Sequence, residues 1–289
     1  MKLLVTGSNG QLGSEIKEII SQYGNIECIF KDLPELDISD ADSVNSLIIN
    51  EHINAVINCA AYTAVDKAEE NIELAERVNS TGVSNIVEAL KKVNGKLIHI
   101  STDYVFDGSN SHPYKESDST FPIGVYGKTK RAGELSVING NIDSIVIRTS
   151  WLYSSFGNNF IKTMLSLGNE KKSLNVVSDQ IGTPTYARDL AKACLDILSI
   201  SKFENISKNG KIYHYSNEGV ASWYDFAITI MELSGLKCKV KPIQTKDFIT
   251  LAKRPYYSVF DKTKIKENFS IEIPYWRDSL KECINKLKK

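Results

Sequence analysis

Residues 3–13 of this 289-residue chain read LLVTGSNGQLG, an apolar strand pattern that runs into a turn with glycine at every third position. Glycine at this spacing lets the chain turn sharply, brings its backbone close to a pyrophosphate, and packs the next helix on the sheet without an intervening Cβ. The phosphates then meet free N–H groups at the helix N-terminus. The pattern predicts a dinucleotide site formed by Gly7, Gly10, Gln11, Leu12 and Gly13.

Short β-rich runs alternate with helical patterns along the chain, which is typical of a parallel sheet wrapped by helices. We predict strands at residues 3–6, 27–30, 55–58, 97–100, 145–148 and 212–215. Helices are predicted at residues 14–21, 41–50, 72–92, 125–137, 159–167, 188–198 and 222–234. The fold class is therefore α/β, a Rossmann-type doubly wound parallel sheet with a smaller C-terminal substrate-binding lobe. The NAD(P)-binding domain is assigned to residues 1–150 and the lobe to 151–289, with segments around 185–235 returning to the first domain.

A second motif places Tyr126 and Lys130 at i and i+4 of a helix-competent stretch after Pro122. An ammonium beside a phenol favours the ionised form, so we expect Lys130 to lower the pKa of Tyr126 toward neutrality. The same spacing also occurs on ordinary surface helices. The preceding strand favours a catalytic pair, because it ends in Ser101-Thr102-Asp103, and hydroxyls at the C-terminal end of a strand point into the ligand crevice of open α/β sheets.

Together these motifs resemble the extended short-chain dehydrogenases/reductases and, within them, the dTDP-4-dehydrorhamnose reductases. The resemblance extends over most of the chain, through residues 58–69, 101–108, 148–153, 157–160, 179–185, 222–226 and 254–255. It implies reduction of the 4-keto group of dTDP-4-dehydro-β-L-rhamnose by NADH or NADPH. The product, dTDP-β-L-rhamnose, would serve surface polysaccharide synthesis.

The resemblance also implies roles for individual residues. Tyr126 would protonate the developing alkoxide, Lys130 would bind the nicotinamide ribose, and Thr102 would donate to the ketone oxygen or tune the phenol. Further cofactor contacts are expected from Asp32, Asp37, Ile38, Ala60, Ala61, Tyr62 and Thr63. Substrate contacts are expected from Thr102, Asp103, Trp151, Asn159, Gln180, Trp223 and Arg254. We assign the pyrophosphate to Arg254, because a guanidinium fork matches phosphate geometry.

Several of these residues have a second interpretation. Asp32 fits the acid that accepts hydrogen bonds from the adenosine ribose and modestly favours NADH, but it also fits an ordinary turn acid. Asp37 could cap the helix that begins at Ala41. Arg254 could lie on the solvated surface. Glu15 is a magnesium or dimer-contact candidate by resemblance, whereas a first-turn Glu is also favoured by the helix dipole.

Composition limits the partners. Thirty-five basic residues balance 35 acidic ones, so no bulk positive field is present to hold nucleic acid or an anionic membrane. Five widely spaced cysteines without a CxxC pair argue against a disulfide framework or a zinc site. No apolar run approaches the roughly eighteen residues of a membrane helix, and the N-terminal run is too short for a secretory signal. We expect a cytoplasmic protein that binds a dTDP-sugar, with a homodimer left open.

Two rival functions share much of this motif set. One is a nucleotide-sugar epimerase or dehydratase of the same superfamily, which would keep its NAD bound. The dehydratases carry an acidic pair near Thr102-Asp103 that this chain lacks. The other is a non-catalytic regulatory subunit resembling the partner of methionine adenosyltransferase, against which the intact Tyr126 and Lys130 argue.

Overall fold

The computed structural model describes residues 1–199 and 210–288. In chain order, its strands are β1 (Lys2–Thr6), β2 (Glu27–Lys31), β3 (Ala55–Asn58), β4 (Lys96–Thr102), β5 (Asp143–Thr149), β6 (Leu152–Tyr153), β7 (Ser173–Val177), β8 (Ile181–Gly182), β9 (Thr185–Tyr186), β10 (Lys211–His214), β11 (Ala221–Ser222) and β12 (Lys239–Ile243). Its α-helices are α1 (Gln11–Ile19), α2 (Ala41–Asn50), α3 (Val65–Ala68), α4 (Ile72–Glu76), α5 (Gly82–Val93), α6 (Val125–Ile138), α7 (Phe160–Glu170), α8 (Ala187–Ser199), α9 (Trp223–Ser234), α10 (Thr263–Phe269) and α11 (Trp276–Leu287).

The central sheet contains six parallel strands in the order β2, β1, β3, β4, β5, β10. Alternate residues of each strand enter two apolar cores, one packed against α1 and α8 and the other against α2, α5 and α6. Both faces are therefore covered, which explains why the strands read as nearly continuous apolar runs. The predicted Rossmann-type α/β fold is confirmed.

All six predicted strands lie within two residues of the strands of this sheet. The helix predicted over residues 72–92 is in fact interrupted, because a π-helical turn at Arg77–Thr81 separates α4 from α5. The pattern did not predict α3, α10 or α11. In α3 and α10, of four and seven residues, the apolar stripe is too brief to show a helical period. In α11, Trp276, Leu280, Cys283 and Ile284 do follow the helical period, so that helix could have been predicted.

A third apolar cluster lies among α7, α9 and α11 and the short strands β6, β7 and β9. It buries Tyr153, Phe226 and Trp276. The domain assignment stays a prediction. Although α8 and β10 follow part of this lobe in the chain, α8 packs on the central sheet and β10 is one of its strands. Within residues 1–199 and 210–288, no helix combines the length and apolar character needed to cross a bilayer.

Candidate active site

The glycine turn after β1 folds tightly on itself and on the end of β3. Gly7 has a φ of +62°, and a Cβ there would lie 2.6 Å from the Ala60 nitrogen. A Cβ on Gly13 would lie 2.5 Å from the Ser8 Cα. At Gly10, the N-cap of α1, a Cβ would approach only the Gly7 carbonyl among the described residues, at 3.2 Å. The N-terminus of α1 therefore presents uncapped N–H groups to an open side, which fits a dinucleotide pyrophosphate.

The ribose end of this cleft lies at the end of β2. The Asp32 carboxylate accepts hydrogen bonds from the backbone nitrogens of Asn9 and Leu33, both at 2.8 Å. Asp32 thus lies beside the glycine turn, where the predicted ribose contact requires it. It also acts as a turn acid, so its two interpretations are compatible.

Two further predicted cofactor contacts, Asp37 and Ile38, form contacts within the protein. Asp40, and not Asp37, caps α2, so the alternative role predicted for Asp37 is wrong. Asp37 instead accepts hydrogen bonds from both the backbone nitrogen and the hydroxyl of Ser39. The Ile38 side chain is buried in the core against Gly82, and its carbonyl accepts a hydrogen bond from the Asn85 side chain at 3.0 Å.

The loop after β3, with the predicted contacts Ala60, Ala61, Tyr62 and Thr63, is held by a buried asparagine that sequence reasoning missed. Asn79 accepts from the Tyr62 nitrogen at 2.9 Å and donates to the Tyr62 carbonyl and the Thr129 hydroxyl, both at 3.1 Å. It lies on the π-helical turn, fully buried. The available signal was a polar residue at a position where the helical period predicts an apolar one.

Tyr126 and Lys130 both lie on α6 beside the end of β4. The Lys130 ammonium donates to the Ile100 carbonyl at 2.7 Å, and burial lowers the pKa of Lys130 to about 8. Burial raises the pKa of Tyr126 well above its ordinary value, while a hydrogen bond with the Thr102 hydroxyl acts in the opposite direction. The predicted lowering by Lys130 is therefore not what the structure shows, because desolvation of the phenol dominates.

Thr102 and Asp103 form the floor of the cleft. The Thr102 hydroxyl donates to Asp103 at 3.0 Å and accepts from the Tyr104 nitrogen at 3.2 Å. Burial raises the pKa of Asp103 to about 6, although hydrogen bonds with Ser258 and Thr102 oppose the shift. The Asp103 Oδ2 has no hydrogen-bond partner within the described ranges, nor has the hydroxyl of Thr149, which pairs with Thr102 in register. Thr149 was not predicted as a site residue.

Arg254 reaches this centre from the far end of the chain. Its guanidinium donates to Asp66 at 2.6 Å and to the Tyr104 hydroxyl at 3.3 Å. The Tyr104 ring in turn meets the Tyr126 ring edge-on, with centroids 5.4 Å apart. Arg254 is therefore not a free surface residue. Its partners Asp66 and Tyr104 lie 188 and 150 residues away in the chain, and no sequence pattern indicated them.

The remaining predicted substrate residues differ in their contacts: two stack on each other, one contacts the start of α1, and one is held by a loop after β12. Trp151, at a φ of +49°, stacks on Trp223 with centroids 3.6 Å apart and an angle of 7° between the rings. Asn159 caps α7 and donates to the Gln11 side chain at 3.0 Å. Gln180 is buried and donates to the Thr245 hydroxyl at 3.1 Å. Trp151 and Ser258, a hydrogen-bond partner of Asp103, both pack against Gly182, whereas Asn159 and Gln180 have structural partners.

The magnesium expectation for Glu15 does not fit the structure. The buried Glu15 carboxylate accepts from the Ser154 hydroxyl at 2.5 Å and forms ion pairs with Arg188 at 3.5 Å and Lys286 at 3.2 Å. A divalent cation there would face two cationic side chains. Across the described part of the chain, no group of three or more His, Cys, Asp and Glu residues could hold a metal ion.

The family described as "RmlD substrate binding domain" matches residues 1–289. A curated relative from Aggregatibacter actinomycetemcomitans, dTDP-4-dehydrorhamnose reductase, is 43% identical over 97% of both chains. Among solved structures, a dTDP-4-dehydrorhamnose reductase from Clostridium acetobutylicum is 43% identical over the whole of both chains, with a TM-score of 0.93. One from Bacillus anthracis, in complex with NADP, is 36% identical over 99% of both, with a TM-score of 0.93. The chain belongs to the dTDP-4-dehydrorhamnose reductase family, as the motifs predicted.

Proposed function

We propose that this chain reduces the 4-keto group of dTDP-4-dehydro-β-L-rhamnose with NADH or NADPH. The observation that carries the proposal is the meeting of Tyr126, Thr102 and Lys130 at the carboxyl end of β4, beside a glycine turn that fits a dinucleotide. Family membership supplies the substrate. We place the reaction in the cytoplasm, where nucleotide sugars and nicotinamide cofactors are made.

Tyr126 is the proposed proton donor. Because burial raises its pKa, the phenol is protonated at neutral pH and can deliver its proton to the oxygen that becomes an alkoxide. The same burial penalises the phenolate that remains. The Thr102 hydroxyl, by turning its proton from Asp103 toward the phenol oxygen, would stabilise that phenolate, and the Lys130 ammonium, one helical turn away on α6, would add to this.

The cofactor, when bound, supplies the hydride. Gly7, Gly10 and Gly13 would hold its pyrophosphate at the start of α1, and Asp32 would accept hydrogen bonds from its adenosine ribose. The NADP complex of the Bacillus anthracis relative supports use of the phosphorylated cofactor. The Asp32 carboxylate would repel a 2′-phosphate, so we propose that both cofactors are accepted and that Asp32 shifts the balance toward NADH.

The substrate would lie between the buried floor and the stacked indoles. Asp103 Oδ2 and the Thr149 hydroxyl are buried and unpaired within the described residues, so they fit sugar hydroxyls or the amide of the cofactor. Trp151 offers a flat face against the sugar ring. Arg254 would hold the pyrophosphate at the outer end, in exchange for part of its contact with Asp66.

The direct test is NAD(P)H oxidation with dTDP-4-dehydro-β-L-rhamnose and with its UDP and GDP analogues, followed at the nicotinamide absorbance. We expect turnover with the dTDP-sugar and much weaker turnover with the others. The purified protein should retain no cofactor, because a reductase exchanges it in every cycle. Tightly retained NAD would instead favour an epimerase or dehydratase, and cofactor binding without turnover of any of these sugars would favour a regulatory subunit.

A further inference from the structure

A fully buried carboxylate, Glu134, lies one helical turn beyond Lys130 on α6. It accepts a hydrogen bond from the Ser101 hydroxyl at 2.6 Å and two from the Arg148 guanidinium, each at 2.8 Å. Arg131 donates to it at 2.7 Å from the more exposed side. Ser101 and Arg148 face each other in register on β4 and β5, so this one carboxylate joins α6 to two strands of the sheet.

A requirement for stability alone explains this arrangement poorly. Arg148 is only 1% exposed, and removing two such charges from water is strongly unfavourable before their attraction offsets it. Apolar side chains of similar volume would serve a purely structural role at least as well. Burial would raise the pKa of Glu134, yet the hydrogen bonds from Arg148 and Ser101 hold it below its ordinary value, so Glu134 is charged at neutral pH.

The network lies next to the reacting groups. Ser101 directly follows Ile100, whose carbonyl accepts the Lys130 ammonium, and directly precedes Thr102. Burial favours neutral Lys130, and the charged group that opposes this is Glu134 on the same helix. The Cys59 thiol, which follows β3, also lies near Lys130 but stays neutral, because burial raises its pKa well above the ordinary value. His99 faces Lys130 from β4, where burial and the Lys130 charge lower its pKa far enough to keep it neutral.

We propose that Glu134 is a positioning residue for the reduction. Its carboxylate keeps Lys130 in the ammonium form and fixes α6 against β4 and β5, so that Tyr126 stays within reach of Thr102. Glu134 itself touches neither substrate nor cofactor. The kinetic importance of this arrangement rests on the proposed reductase function, whereas the electrostatic coupling between Glu134 and Lys130 does not.

The test compares Glu134→Gln with Ser101→Ala, the matched control that removes a neutral hydrogen bond from the same carboxylate and leaves its charge in place. The first measurement is the Kd of NADPH, followed by its fluorescence across neutral and alkaline pH. In the wild-type protein, binding should weaken as pH rises through about 8, where the ammonium is lost. In Glu134→Gln the pH at which NADPH binding weakens should be lower by about one unit or more. At pH values between the transition of the variant and that of the wild type, the variant should therefore bind NADPH about tenfold more weakly. In Ser101→Ala the transition should stay in place.

The second measurement is the free energy of unfolding of the cofactor-free protein. Lys130 titrates lower in the folded chain than its unfolded value of about 10.4, so its own contribution to stability rises with pH from about 8 to 10. The cysteines whose pKa burial raises contribute in the opposite direction in both proteins, so the quantity to compare is the difference in unfolding free energy between Glu134→Gln and the wild type. In Glu134→Gln the rise due to Lys130 should begin at lower pH. Glu134 contributes nothing of its own in this window, because its pKa is held below its ordinary acidic value. This experiment needs neither cofactor nor substrate, so its outcome is independent of the proposed reaction.

Should Glu134→Gln not fold, the double variant Glu134→Gln/Arg148→Met removes both buried charges and keeps the shape. Its alkaline transition should also lie below that of the wild type, since Glu134 and not Arg148 supports the charge of Lys130. Glu134→Asp, which keeps the carboxylate, should restore most of the shift. The proposal would be overturned if the alkaline transition of Glu134→Gln or of the double variant stayed at the wild-type pH and NADPH binding were weakened equally at every pH.

Discussion

The two ends of the cleft differ in how much water reaches them. At the reaction end, Lys130 and Asp103 are buried and Tyr126 is partly exposed beside them, and burial is the largest cause of each of their pKa shifts. At the ribose end, the partly exposed Asp32 is held by backbone N–H groups at the rim. Charges interact far more strongly where water is excluded. Substitutions at the buried end should therefore change turnover, and those at the exposed end should change selectivity.

The largest effect is expected from Tyr126→Phe, which removes the proton donor from the buried end. Turnover should fall by about 100- to 10,000-fold, the usual contribution of a positioned acid, while NADPH binding stays within about twofold. Steady-state kinetics and fluorescence titration measure the two quantities. Tyr23→Phe is the matched control, because its hydroxyl donates to Asp196 far from this cleft. A Tyr126→Phe protein within a fewfold of wild-type turnover would contradict the proposed mechanism.

Arg254→Ala tests the outer, less buried part of the substrate site. A charge-assisted contact contributes about 1.5–3 kcal/mol, which corresponds to an increase in KM for the dTDP-sugar of roughly 10- to 100-fold. We expect the lower part of this range, because Asp66 already neutralises Arg254 in the free protein. NADPH affinity should change by less than about twofold. Arg277→Ala, which breaks an exposed pair with Glu232, is the control. Equal weakening of both ligands would indicate a folding defect.

Asp32→Ser should have a smaller effect, limited to cofactor choice. The change removes an acceptor for the 2′-hydroxyl and a repulsion toward a 2′-phosphate, so the ratio of kcat/KM for NADPH over NADH should rise about tenfold, or about 1.4 kcal/mol. Asp40→Ser is the matched control, because that carboxylate caps α2 and a serine can take over the cap. An unaltered ratio would mean that Asp32 is a turn acid alone and would weaken the contrast between the two ends.

The features that could be predicted from the sequence are those encoded by neighbouring residues. The six strands, the glycine turn and the Tyr126–Lys130 spacing on one helix are of this kind. The pKa of Tyr126 could not be predicted, because spacing shows which charge is near and not how much water is excluded. Asp66 and Arg254 are far apart in the chain, so neither residue indicates the other before the fold brings them together.

The smallest effect, none at all, is expected from removal of divalent cations. Glu15 lies in the second turn of α1, so the predicted first-turn role at the helix dipole is wrong, and its carboxylate is already satisfied by Ser154, Arg188 and Lys286. Lys286 also pairs with Glu18, so both carboxylates are neutralised by side chains of the protein. Excess EDTA should therefore leave kcat, KM and Tm unchanged, and added Mg²⁺ should change none of them. Loss of activity or a lower Tm in EDTA, restored by Mg²⁺ and not by NaCl, would show that Arg188 and Lys286 give way to a metal ion.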